Sequence, residues 1–434
     1  MPPKKRGKSE DERQVKKFEE IIGYEEEKEE LRRLCDAMNN REKYSALGVD
    51  MPRALLLYGE PGVGKTLMAE TLIEESGRIC FSCKKDRADG AFTDKIRETF
   101  KNAEENQPSI VFLDDMDKFA QDNLREDSNK EEFAVIQSCL EDMKGKDVFT
   151  VATANDIFMI PRSLLREGRF GRQIKVRMPC RAAAVKIIEH FLKNKKTSED
   201  LTAEFAAEVS AGRSCAYLEN VVNEAGLYAG YENRSTISRK DFIFAALRVS
   251  TQCLPSEITN EKEKRKICYH EAGHAVAAAL LGEKVALLSA KRYGDVGGVC
   301  CSFDDEEVLS FEKFKNIVVV SLAGKASAEI VYGVPDFGAG WDIKKASRLT
   351  ERCVEELALK GFSRIYWKRY YSEKQPIGRI DRIADSVSEI LSEFYEETVA
   401  LITKNRNLLD KVADALYERE FLVWDDVRAI MNIA

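Results

Sequence analysis

The sequence has only three histidines in 434 residues, and no stretch of it approaches the roughly 18 to 20 uncharged apolar residues that a bilayer crossing needs. Nor does its start show the charged-then-apolar layout of a signal peptide. The chain is therefore expected to work in the cytoplasm, with no transmembrane segment, and to meet membranes only through a partner or through the basic run MPPKKRGK. A basic excess is also missing. The formal net charge is −7, and the lysines and arginines are interleaved with acids. That argues against a nucleic-acid partner, because neutralising phosphates takes a basic surface. A cysteine framework is lacking too: eleven cysteines are scattered along the chain, and the pair Cys80 and Cys83 has no second pair at zinc-finger spacing. Reduced, mostly buried thiols fit better than disulfides.

What is present, 44% apolar and 33% charged residues, suits a globular chain of two or three domains. ALLLYGEPGVGKT opens with an apolar run, Ala54 to Tyr58, that reads as a buried parallel strand, and a helix-period segment follows it. Between them lies G-x-x-x-x-G-K-T. Its glycines let successive backbone N–H groups face a phosphate chain at a helix N-terminus. The expected nucleotide contacts are Gly59, Pro61, Gly62, Val63, Gly64, Lys65, Thr66 and Leu67, with Lys65 on the β and γ phosphates and Thr66 on Mg²⁺. SIVFLDDMDK reads as a second buried strand that delivers Asp114, for Mg²⁺, and Asp115, for the attacking water. VFTVATAND adds a third strand that ends in Asn155, an amide suited to orienting water. Arg166, Arg169 and Arg172 fall in a polar loop; they are solvated there or serve as fingers for a neighbour's γ-phosphate.

Residues 250–266 are polar with no apolar period, which marks a domain boundary. KICYHEAGHAVAAALLG follows. On a helix, His270 and His274 project from one face one turn apart, close enough to share a Zn²⁺, and Glu271 beside them can act as general base. Two histidines at this spacing can also be plain surface or core residues. The apolar flanks and the scarcity of histidine elsewhere favour zinc, and Gly282 is a plausible helix stop. A hydrolytic zinc needs a third protein ligand. His190 belongs to the nucleotide half, and Asp342 reads equally well as a ligand or a helix N-cap.

Together these segments resemble the FtsH family of AAA+ ATP-dependent zinc proteases. The resemblance runs from FEEIIGYEEEKEEL through LLREGRFGRQI and SCAYLENVVNEAGLYAG to DFGAGWDIKKASRLTERC and NRNLLDKVADALYEREFLVWDDVRAIM, nearly the whole chain from Lys17. It implies an α/β fold, an AAA+ parallel sheet with a helical lid, followed by a mainly α-helical zinc peptidase domain. The implied divisions are a charged tail over 1–14, the nucleotide domain over 15–178, the lid over 179–250, a linker over 251–262 and the peptidase over 263–434. By the same resemblance Ile22 and Gly23 flank adenine, Asn155 is the sensor, Arg169 and Arg172 are fingers acting in trans within a homohexamer, and Asp342 is the third zinc ligand. The cofactors are then ATP, Mg²⁺ and Zn²⁺, and the substrates are unfolded or tagged proteins. Residues 297–303, GGVCCSF, alternate like an edge strand and by resemblance pair with the substrate backbone.

Four departures stand out. Family members carry membrane-spanning helices before the ATPase, where this chain shows a short charged tail, so soluble proteins are the expected substrates. The family's Asp-Glu is Asp114-Asp115 here; the shorter side chain draws the carboxylate back by about one carbon, and slow but nonzero ATP hydrolysis is expected. The pore-loop aromatic is replaced by Ala88, Asp89 and Gly90; either the grip on a threaded chain is weaker, or Phe92, two residues on, supplies it. His190 stands one residue before the lid position that would meet adenine. Two alternatives follow from these departures: an ATP-driven remodelling chaperone, and an ATP-regulated assembly protein with little proteolysis.

Overall fold

Apolar runs that alternate with helix-period segments place parallel strands at the centre of the first half of the chain. The computed structural model describes residues 18–48, 51–85, 92–120, 131–294, 297–303, 310–334, 336–357, 359 and 377–433. The expected tail over 1–14 and the positions Ala88, Asp89 and Gly90 lie outside them. The chain divides into two compact units: one reaches Lys193 and includes Arg213–Asn220, and the other comprises Asn194–Gly212 and Val221–Ala434.

The first unit starts with helices α1 (Glu25–Asn39) and α2 (Arg41–Ser45). It then alternates through β1 (Ala54–Tyr58), α3 (Lys65–Ser76), β2 (Ile79–Cys83), α4 (Phe92–Glu105), β3 (Ser109–Leu113), α5 (Glu131–Asp142) and β4 (Val148–Ala154), and closes with β5 (Arg172–Lys175) and α6 (Arg181–Leu192). The five strands are parallel, in the order β2-β3-β4-β1-β5. A parallel sheet with helices on both faces needs apolar side chains in both directions, hence unbroken runs such as Leu55, Leu56 and Leu57, all fully buried. Leu56, Val111 and Ala152 pack with Phe100 of α4 and Ile136 of α5. On the opposite face, Leu55, Leu57, Ile110 and Val151 pack with Leu31 of α1 and Leu72 of α3. The chain leaves the carboxyl ends of β1, β3 and β4 through Gly59, Asp114 and Asn155, the edge at which open α/β sheets take ligands.

Two sequence expectations change here. Arg172 opens strand β5 rather than lying in a loop. Only Ile174 of that four-residue strand turns partly inward, so the sequence has no apolar alternation to reveal it. Phe92, the substitute gripping aromatic, is 5% exposed and meets Phe119 edge to face with ring centroids 4.8 Å apart. As the first residue of α4 it is committed to the core, where a ring stabilises the fold by its buried area. Cys80 and Cys83 both lie on β2, three positions apart and so on opposite faces, one exposed and one buried.

The second unit contains α7 (Ala203–Val209), the later turns of α8 (Cys215–Tyr231), α9 (Arg239–Thr251) and β6 (Pro255–Ser256). It continues with α10 (Glu261–Leu280), β7 (Lys284–Ser289), β8 (Arg292–Tyr293), β9 (Val299–Phe303), α11 (Phe311–Tyr332) and α12 (Gly340–Leu357). Helices α13 (Ile377–Lys404) and α14 (Arg406–Arg419), strand β10 (Phe421–Val423) and helix α15 (Trp424–Met431) complete it. The Asn260 side chain caps α10 by accepting from the backbone N–H groups of Lys262 and Glu263, at 3.0 and 3.3 Å. Gly282, at φ +74°, ends the segment. Between these limits α10 is lined with Ala272, Ala275, Ala277 and Ala278, all fully buried. At Gly273 a Cβ would stand 2.6 Å from the Ala323 carbonyl oxygen of α11. Small residues thus let the two helices approach until their backbones nearly touch. An antiparallel sheet in the order β10-β7-β9 leaves β9 at its edge. No helix among the described residues is long and apolar enough to cross a membrane.

Candidate functional site

His270 and His274 lie one turn apart on α10, and Asp342 lies in the first turn of α12. His270 Nε2 is 3.2 Å from His274 Nε2 and 3.1 Å from Asp342 Oδ2, and His274 Nε2 is 3.5 Å from Asp342 Oδ2. Ligands held tetrahedrally at zinc–nitrogen bond lengths stand about 3.3 Å apart, so the three donors fit one Zn²⁺. The outer ring nitrogens strengthen that fit. His270 Nδ1 is 2.6 Å from Asp336 Oδ2, and His274 Nδ1 donates to the Val320 carbonyl at 2.6 Å. With both Nδ1 atoms donating, both Nε2 lone pairs point into one space, which is unfavourable unless a cation lies between them.

The site favours positive charge. Burial alone would disfavour a charged His270, but the hydrogen bonds to Asp336 and Asp342 outweigh it and raise the imidazole to about 10. Burial pushes both aspartates up, yet the histidines hold them down, Asp336 to about 2 and Asp342 well below the carboxylate range. A divalent cation on the three donors takes the place of that proton. Sequence reasoning missed Asp336, although DFGAGWD places it six residues before Asp342. Asp342 is not a helix N-cap; Asp336 caps the short 3₁₀ turn ahead of it by accepting from Gly338 N–H. Gly324 of α11 was also missed. A Cβ there would stand 2.5 Å from His274 Nε2 and 2.6 Å from His270 Nε2, in the space the donors enclose.

Glu271 is 5% exposed, and burial pushes its carboxyl pKa up, against the pull of the two histidines. It lines a cleft of about 510 Å³ with the metal donors, Val299 and Cys300 of β9, and Trp341. Gly298, just before β9, passes so near that a Cβ would be 2.5 Å from Glu271 Oε1. The backbone of an edge strand therefore borders the carboxylate.

In the first unit the phosphate loop joins β1 to α3. Gly59, at φ +150°, has room for no side chain: a Cβ would lie 2.0 Å from the Val176 carbonyl oxygen. Lys65 is 6% exposed and donates to the carbonyls of Gly59 and Glu60, both at 2.8 Å, and to Asn155 Oδ1 at 2.9 Å. Thr66 Oγ1 donates to Asp114 Oδ1 at 3.2 Å, and Thr153 Oγ1 donates to the same oxygen at 2.8 Å. A hydroxyl beside a 7%-exposed carboxylate is an oxygen donor set that suits Mg²⁺. Asp115, at φ +54°, sits next to it, and its N–H donates to Thr153 Oγ1 at 2.8 Å. Ala216 at the start of α8 donates its N–H to the Gly62 carbonyl at 3.0 Å, so this turn closes onto the loop. Ile22 is half-buried, and Gly23 packs against Ala183 of α6. Arg169 is ion-paired with Glu141 and Arg172 with Glu30. The two arginines line a separate depression that contains none of the phosphate-loop residues.

The comparisons agree with this geometry. Residues 55–178 match the ATPase family associated with various cellular activities (AAA), and residues 257–430 match peptidase family M41. An ATP-dependent zinc metalloprotease FtsH of Chloroflexus aggregans is 30% identical over 448 residues, covering 96% of this chain and 68% of its own length. The chain belongs to the FtsH family of ATP-dependent zinc metalloproteases. The FtsH of Cyanidium caldarium is 30% identical, over 93% of this chain and 70% of that protein, and the FtsH of Streptobacillus moniliformis is 29% identical, over 96% and 64%. The chain thus spans about two thirds of the length of these FtsH relatives. The α/β unit with its parallel sheet and the mainly helical unit with its HEXXH helix are the two parts that the family matches describe.

Proposed function

We propose that the chain is a subunit of a homohexameric, ATP-driven protease that unfolds proteins and hydrolyses their peptide bonds. The divisions given above, 15–178, 179–250, 251–262 and 263–434, are its working domains, and the dispersed cysteines support action in the cytoplasm. The observation that carries the reading is the convergence of His270, His274 and Asp342 beside buried Glu271, in one chain with a phosphate loop and its magnesium carboxylate. The remodelling and assembly alternatives give no reason for a complete donor set with oriented outer nitrogens.

In this reading Lys65, Thr66 and the loop amides hold the triphosphate. Asp114 faces its magnesium, Asp115 and Asn155 orient the attacking water, and Ile22 and Gly23 border the base. Mg²⁺ supplies neutralising charge to the phosphates. Arg169 and Arg172 act on the neighbouring subunit's nucleotide. In the second unit β9 pairs with the substrate backbone and sets the scissile bond beside Glu271. Zn²⁺ on the three donors supplies Lewis acidity toward water and the peptide carbonyl. Glu271, its affinity for a proton raised by burial, takes the proton from water and returns it to the leaving nitrogen.

The test is degradation of a loosely folded protein by the purified chain with ATP and zinc, against Glu271→Gln. The expected result is cleavage that depends on ATP and falls by at least about 10²-fold in the variant, while zinc content and ATP hydrolysis persist. Equal cleavage by both chains, or none by the zinc-loaded wild type, would overturn the reading.

A further inference from the structure

The pairing of β2 with β3 sets Cys83 beside Leu113, with the Asp114 N–H donating to the Cys83 carbonyl at 3.3 Å. The next residues of the two strands, Lys84 and Asp114, are therefore neighbours at the carboxyl edge of the sheet. Lys84 Nζ lies 2.8 Å from Asp114 Oδ2 and 3.9 Å from Asp115 Oδ2. Lys118 Nζ lies 2.8 Å from Asp115 Oδ2. Two ammonium groups thus face the two carboxylates that the nucleotide chemistry uses. The side that Lys84 takes is telling. Thr66 and Thr153 occupy Asp114 Oδ1, and Lys84 occupies Oδ2.

We propose that Lys84 is an internal cation that competes with magnesium for Asp114, so that Mg²⁺-nucleotide binds only as this lysine yields. The inference rests on the nucleotide-binding reading above. The Asp114 carboxylate and the Thr66 hydroxyl would hold a hard divalent cation here, and such an ion would keep water and phosphate oxygens for its other positions. An ammonium on the same carboxylate lowers the negative charge that draws the ion in. The competition is reversible because the Lys84 side chain is 55% exposed, and once displaced its charge returns to solvent at little cost. Lys85 has a different place: its Nζ donates to the Phe119 carbonyl at 2.5 Å and is 3.6 Å from Glu132, so it anchors the turn, while Lys84 meets the site.

The experiment is a Mg²⁺ titration of the full chain with a fluorescent ADP analogue, read by anisotropy, so that no turnover enters the readout. Lys84→Ser and the length-preserving Lys84→Met are expected to shift the Mg²⁺ midpoint at least about threefold lower and leave binding in EDTA unchanged, with Lys84→Arg titrating as wild type. Nucleotide binding with an unmoved or higher midpoint in both Lys84→Ser and Lys84→Met overturns the role of Lys84 alone. No binding by wild type or variants at any Mg²⁺ concentration overturns the nucleotide reading, and this inference with it.

Discussion

The metal site depends on a missing methyl group. Gly324 gives α11 no side chain where His270 and His274 aim their Nε2 atoms, and Ala323 and Ala326 beside it are fully buried in the helix contact. An alanine at 324 has nowhere to go, since its Cβ would sit at 2.5 to 2.6 Å from both donor nitrogens. Gly324→Ala should therefore lower bound zinc from near one ion per chain to a small fraction, with ATP hydrolysis kept, as checked by elemental analysis of the purified protein. Full zinc loading in that variant would show that the donors relax around the methyl. At Asp336 the effect should be graded. It orients His270 from the far side of the ring without touching the ion, a contact whose loss typically weakens metal binding about 10- to 100-fold.

Individual helices show how local chemistry sets their limits. Helix α9 begins with a capping box, in which Asp241 N–H donates to Ser238 Oγ at 3.3 Å and Ser238 N–H donates to Asp241 Oδ2 at 2.8 Å. Arg234 adds a bidentate pair to the same carboxylate, at 2.6 and 2.5 Å. Burial pushes the Asp241 carboxyl up, but Arg234 and Ser238 prevail and hold it below its ordinary 3.8. A carboxyl with a folded pKa below its unfolded one stabilises the fold fully above the unfolded value, and that stability is lost as pH falls through the folded value. Thermal melting should therefore show Asp241→Asn less stable by about 1.5–3 kcal/mol at pH 7, with the gap to wild type closing as the pH drops below about 4. A gap that persists at low pH would mean that packing rather than the charge carries the effect.

At the scale of the whole molecule, each half holds one site: the donors of the phosphate loop lie in the first unit, and those of the metal site in the second. Arg169 and Arg172 line a depression that contains none of their own chain's phosphate-loop residues, and the role proposed for them is at a neighbour's nucleotide. Mixing makes this testable. Chains with Lys65→Ala lack the phosphate grip and keep the arginines, and chains with Arg169→Ala and Arg172→Ala have the reverse. Each alone should hydrolyse ATP at under about a hundredth of the wild-type rate, and a mixture should recover a measurable part, because one chain supplies what the other lacks. Failure to recover, in rings shown by mass to contain both chains, would rule out action in trans.

The sequence by itself determined whatever depends on contiguous residues. The phosphate loop was legible because strand, glycines, lysine and helix follow one another along the chain. The shared face of His270 and His274 was legible because helical period alone puts residues four apart on one side. The central strands were legible because burial on both faces leaves unbroken apolar runs, while β5, polar and at the edge, was not. Tertiary structure decided the rest. Asp336 and Asp342 reach His270 across 66 and 72 residues of chain, Gly324 clears their meeting place from a third helix, and strand register alone sets Lys84 against Asp114. No local pattern encodes such contacts, because each exists only where two distant segments pack and exclude water together.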